Sequence, residues 1–213
     1  MLPARLTLWF ERRPLLRFVL SVIALLPACF IAWYYVGASL AAPSALLADW
    51  ILATWPAGMT TETRLQGTDF LVLSAYGESD GRFYPAAEVG NQLAYPVNTR
   101  VLSYSMPFFT ALYLATPMRA GLDRFAWCFL ALWLLLAVGL VATTLKNFML
   151  GMGEAFLARD GVPPADAVAL AYQFSTLMVP PLAPILLWAW TAGDSAAFRG
   201  LFTAAKSPDH AAD

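Results

Sequence analysis

The sequence predicts a mainly α membrane protein. It has four transmembrane helices and a small extracytoplasmic β-rich insert between helices 1 and 2. Three observations carry this. The 213 residues are 60% hydrophobic and only 13% charged, about half the charge of an average soluble domain. The mean hydropathy is +0.61. Four apolar runs are read as long enough to cross a bilayer, which takes about 20 residues, at 15–42, 101–117, 125–145 and 167–192.

Arg5, Arg12, Arg13 and Arg17 lead the first span. Basic residues favour the cytoplasmic side, which sets residues 1–14 inside. Four crossings then place 118–124 and 193–213 inside as well, and 43–100 and 146–166 outside. The first apolar run is far longer than the 7–15 residues of a signal-peptide core, so it is expected to remain as a span. Leu26–Cys29, LPAC, faintly resembles a lipoprotein cleavage site, but FIAWYYVG continues the apolar run beyond it. Pro27 reads instead as a kink in a membrane helix.

Pro43–Trp55 has apolar residues near helical spacing. It either continues the first helix or lies amphipathically in the headgroup plane. QGTD and ESDG then give hairpin signals. They predict strands at 60–65, 69–75 and 82–93, with Pro85 disturbing the start of the last. So small a meander is marginal alone and needs the membrane, the 43–55 stretch or a partner to cover its apolar face. In the second outside segment, DGVPPAD breaks the chain, with Pro164 or Asp166 near the start of the fourth helix.

Little here offers chemistry. The net charge of −1 lacks the basic footprint of nucleic-acid binding. Cys29 and Cys128 sit in apolar runs and read as small buried hydrophobes. One histidine, His210, cannot build a four-ligand Cys/His zinc site. No HExxH, GxSxG, GxGxxG or P-loop occurs, and no Asp or Glu lies in the middle of a span. The sequence therefore predicts no catalytic residues, no metal and no cofactor. Spans without charged groups in their middle also argue against a transporter. Trp33, Tyr34, Tyr35, Trp50, Trp55, Trp188 and Trp190 fit interfacial aromatic belts.

Two polar stretches stand out. Asn98, Arg100, Ser103, Tyr104 and Ser105 form the mouth of the second span, just ahead of Pro107. Tyr172, Gln173, Ser175 and Thr176 precede Pro180, Pro181 and Pro184. Prolines remove helix donors and release carbonyls that nearby polar groups must satisfy. The first reading is local repair of broken helices. The second is a polar surface for a partner membrane protein.

Together the two stretches resemble a known family. Asn98, Tyr104, Ser105, Pro107, Phe108 and Phe109 match an N-x5-YS-x-PFF lead-in. Tyr172, Gln173, Phe174, Ser175, Leu177, Pro180, Leu182, Ala183 and Pro184 match a YQFS-x-L-x2-P-x-LAP span. This resembles the class H exosortase-associated membrane proteins over residues 67–188. Met106 departs from the glycine expected before Pro107. The resemblance implies a non-catalytic accessory role beside an exosortase, a bacterial inner-membrane cysteine transpeptidase that processes proteins with C-terminal sorting signals. The Cys, Arg and His of such a peptidase have no counterpart constellation in this chain. The expected partners are an exosortase-like membrane protein or its substrate, and the bilayer. The candidate contact residues are Asn98, Arg100, Tyr104, Ser105, Pro107, Tyr172, Gln173, Ser175, Pro180 and Pro184. The rival reading is a membrane subunit or assembly factor of a pilus, conjugation or other envelope secretion machine. A small transporter ranks below both.

Overall fold

A computed structural model describes residues 14–116 and 121–193, together with 195 and 198. The first thirteen residues with Arg5, Arg12 and Arg13, residues 118–120 of the expected 118–124 loop, and His210 lie outside the described residues.

The first apolar run forms α1, Pro14–Thr54, a helix of 41 residues. At 1.5 Å per residue it is about 60 Å long, roughly twice the hydrocarbon thickness of a bilayer. The 43–55 stretch therefore continues the first helix. Ala41, Ser44, Ala45, Ala48 and Leu52 are buried on one face of this outer half. Four of the five are small, which lets the next long helix approach closely. Trp133 ties the two together. Its indole donates to the Leu40 carbonyl at 2.7 Å, and its own carbonyl accepts from Ser44 Oγ at 2.8 Å.

The insert between α1 and the next helices is a β head. Strands β1 (Thr60–Gln66) and β2 (Asp69–Ser74) pair antiparallel around Gly67, whose φ is 59°. Strands β3 (Tyr76–Ser79) and β4 (Arg82–Pro85) close on Asp80 and Gly81, with φ 52° and 73°. These are left-handed values that favour Gly, Asn and Asp in tight hairpins. The head departs from the expected three-strand meander. The stretch expected as one strand, 82–93, breaks after Pro85 into a short helix, α2 (Ala86–Val89), which ends on Gly90 at φ 68°. Strand β5 (Ala94–Asn98) completes a sheet ordered β1-β2-β5, while β3 and β4 form a separate ribbon. Proline cannot donate to a ladder, which ends β4 at Pro85. Pro96 is tolerated in β5 because β5 is an edge strand. Thr63 Oγ1 donates to Asp49 Oδ1 at 2.7 Å, anchoring the head on α1.

The expected second span, 101–117, is two pieces. These are α3 (Arg100–Ser103) and α4 (Ser105–Ala115), the latter eleven residues long. The next helix, α5, runs from Leu122 to Met152, so the expected outside loop 146–166 begins as helix and continues into the short α6 (Glu154–Leu157). The final segment is α7 (Ala165–Gln173), a π-helical turn at Phe174–Met178, and α8 (Val179–Ala192). Three described helices are long and apolar enough to cross a membrane, at Leu15–Thr54, Leu122–Met152 and Ala165–Ala192. The 101–117 stretch is not among them, because its helix is interrupted at Tyr104 and is short.

One buried core runs through bundle and head. Between α4 and α5 an aromatic ladder joins Phe109, Phe125, Phe129 and Trp133, with neighbouring centroids 5.0–5.7 Å apart. In the head, Phe148 of α5 meets Tyr95 of β5 edge-on at 5.1 Å. At the opposite end, Phe18 stacks on Trp188 at 5.2 Å, and the Trp188 indole donates to Thr116 Oγ1 at 2.8 Å. The start of α1, the end of α4 and the end of α8 thus share one end of the bundle.

Candidate functional site

The first polar stretch divides between two sides of the bundle. The backbone N–H of Arg100 donates to Asn98 Oδ1 at 2.9 Å, turning the chain from β5 into α3. The Arg100 guanidinium lies 4.3 Å from the Tyr34 ring centre and donates to the Tyr34 carbonyl at 3.4 Å. Ser103 accepts from the Trp33 indole at 3.2 Å. These contacts bind the mouth of α3 to the aromatic triplet of α1. Tyr104 also faces α1, lining an apolar groove with Pro27, Phe30 and Phe108. Ser105 and Pro107 are buried inside α4.

The second polar stretch sits around the π turn. An α-helix would direct the missing N–H groups of Pro180, Pro181 and Pro184 at the carbonyls of Thr176, Leu177 and Pro180. The π turn lies directly ahead of these prolines, where the regular ladder is broken. Ser175 Oγ donates within the preceding turn, to Ala171 at 2.6 Å and Tyr172 at 3.2 Å. Ser175, Pro180 and Pro184 are buried. Tyr172 is half-buried and Gln173 is exposed. Of the ten candidate contact residues, Ser105, Pro107, Ser175, Pro180 and Pro184 therefore serve the interior. Asn98, Arg100, Tyr104, Tyr172 and Gln173 keep surface.

The two stretches do meet. Asn98 and Val101 of the first face Tyr172 and Thr176 of the second across a cleft of about 190 Å³. Its floor comes from α5, which supplies Thr143, Lys146 and Asn147. Lys146 Nζ stands 4.6 Å from the Tyr172 ring centre, within cation–π range. Asn147 Nδ2 donates to the Pro96 carbonyl at 3.5 Å. Thr176 Oγ1 is buried without a hydrogen-bond partner in the structure. Arg100 and Tyr104 do not line this cleft. The α5 contribution went unread in the sequence, although the Lys146–Asn147 pair closing a long apolar run was its signal.

The donors in the cleft are an ammonium, two amides and hydroxyls. They suit hydrogen-bonding recognition and offer no nucleophile–base pair. Among the described residues, no three His, Cys, Asp or Glu side chains group to hold a metal.

The profile of the family described as exosortase H-associated membrane protein matches residues 12–195. The chain belongs to that family. The match spans both polar stretches and every helix from α1 to α8, so the cleft lies within the matched region. With three long apolar helices it is a multi-pass membrane protein. No curated protein and no solved structure matches the chain.

Proposed function

We propose that the chain is a non-catalytic accessory subunit of an exosortase-type sorting and surface-export system in the bacterial inner membrane. It passes the bilayer four times, with both termini cytoplasmic. The β head and the face bearing Asn98, Tyr172 and Gln173 meet an exosortase-like partner or its substrate. The observation that carries the reading is the convergence of Asn98 and Tyr172 at one cleft between head and bundle. Two stretches distant in sequence build one partly exposed surface, in a chain of an exosortase-associated family.

The fourth pass is α3 with α4. Together they cover Arg100–Ala115, about 24 Å of helix. Their far end meets Phe18 and Trp188 through Thr116, while their near end leaves the head at Asn98. A short helix held between longer ones spans a locally thinned bilayer at modest cost.

Capture of the tagged chain from native membranes tests the role. An exosortase-like protein or a sorting substrate is expected to co-purify. The pair N98A and Y172A is expected to reduce capture without lowering the yield of folded protein. Recovery of the intact chain with neither class of partner would overturn the reading.

A further inference from the structure

We infer that the cleft of Lys146, Asn147, Asn98 and Tyr172 binds the phosphodiester of a net-anionic glycerophospholipid. The site begins with an uncompensated charge. Lys146 has no carboxylate partner among the described residues, whose one ion pair is Arg64 with Glu62. Its ammonium rests on the Tyr172 ring, which attracts the cation electrostatically but accepts none of its N–H groups in the usual in-plane way. Amides of Asn98 and Asn147 and the unpartnered hydroxyl of Thr176 line the same cleft. Asn147 keeps one N–H beyond its bond to the Pro96 carbonyl, while the Thr143 hydroxyl is committed to the Gly139 carbonyl. An ammonium flanked by neutral donors is the set that phosphate oxygens require.

The surroundings select the kind of phosphate. Val101 lines the cleft and is 51% exposed, and Leu177, next to Thr176, is 68% exposed. A ligand anchored at Lys146 thus has apolar surface beside it, as a headgroup with attached acyl chains needs and a free phosphate ion does not. The cleft lies where β5 hands over to α3, beside a helix long and apolar enough to span. No carboxylate lines it. Asp69 pairs with Asn98 across the β2–β5 ladder but is not part of the lining, so the one charge lining the cleft is the Lys146 ammonium and a headgroup with net negative charge is preferred. The cleft shares Asn98 and Tyr172 with the proposed partner surface, but lipid retention by the purified chain and partner capture from membranes are separate readouts, so either can fail without the other.

The experiment is lipid retention by the purified full chain, delipidated and then incubated with mixed micelles of phosphatidylglycerol or phosphatidylcholine. Native mass spectrometry counts the bound lipid. Wild type is expected to retain phosphatidylglycerol over phosphatidylcholine. Lys146→Gln is expected to lower that retention about tenfold, the loss of one charge-assisted contact, and Lys146→Arg to preserve it. Asn147→Leu keeps the charge and is expected to lower retention less. This variant tests the site even where Lys146→Gln folds poorly. Equal retention of the two lipids, or undiminished retention by folded Lys146→Gln, would overturn the inference. So would displacement by millimolar inorganic phosphate, which assigns the cleft to a soluble anion. Displacement by an acidic peptide would overturn it too, assigning the cleft to a protein carboxylate.

Discussion

The Trp188 indole donates to Thr116 Oγ1 at 2.8 Å, and Thr116 Oγ1 donates in turn to the Leu112 carbonyl at 2.9 Å. Both residues are buried. One hydroxyl therefore joins the last helix to the end of α4, where the Thr116 N–H also bonds the Tyr113 carbonyl. Thr116→Val keeps the shape and strands the indole donor. The expected cost is about 1–3 kcal/mol, read as a lowered midpoint of unfolding in detergent. An unchanged midpoint would show that the bond does not hold α4 in place.

Tyr95 seats on Gly151. A methyl group at residue 151 would collide with the Tyr95 hydroxyl and ring edge. Gly151→Ala should therefore destabilise the junction of head and bundle by about 1–3 kcal/mol, as overpacking does. The same change in a Tyr95→Ala background should cost little. A double-mutant cycle with no coupling between the two positions would refute the contact.

The same tyrosine gives the head a pH dependence. Burial, and secondarily the Glu78 carboxylate, pushes the Tyr95 phenol above its ordinary value. The folded state thus holds the phenol proton more tightly than the unfolded chain does. The stabilisation is complete below about pH 10, the unfolded value, and is lost as pH rises through the folded one. Wild type should lose thermal stability in that alkaline window more steeply than Tyr95→Phe. Parallel curves would sink the assignment.

Topology is open to chemical labelling. Glu88 on α2 and Asp123 in the first turn of α5 are exposed at opposite ends of the molecule. In a background with Cys29 and Cys128 replaced by alanine, E88C should react with an impermeant maleimide from the periplasmic side. D123C should react only after the membrane is opened. Labelling of both from one side would exclude four passes.

The three long helices were legible because each is a run of apolar residues with the right length, and composition alone marks such runs. The hairpin turns were legible because Gly67 and Asp80–Gly81 sit where positive φ is needed. Strand β5 was not. Ala94–Asn98 contains a proline, and its pairing with β2 depends on a partner more than twenty residues earlier in the chain. The short α4 was overestimated because hydropathy does not register that Tyr104 interrupts the helix. At the site, the sequence marked Asn98 and Tyr172 but not Lys146. A lysine closing an apolar run looks like an ordinary snorkelling cation until the fold brings an aromatic ring and two asparagines beside it.

The seat of β5 on α5 also bears on biogenesis. β1, β2 and β5 leave the ribosome together, and their ladders need nothing that comes later. Phe148 and Gly151, which receive Tyr95, are made some fifty residues after it. The nascent head must therefore wait, with one aromatic side uncovered, until α5, the second long helix, has been made. Closure of the head therefore follows synthesis of α5, and a chain stalled before α5 would leave the Tyr95 face uncovered.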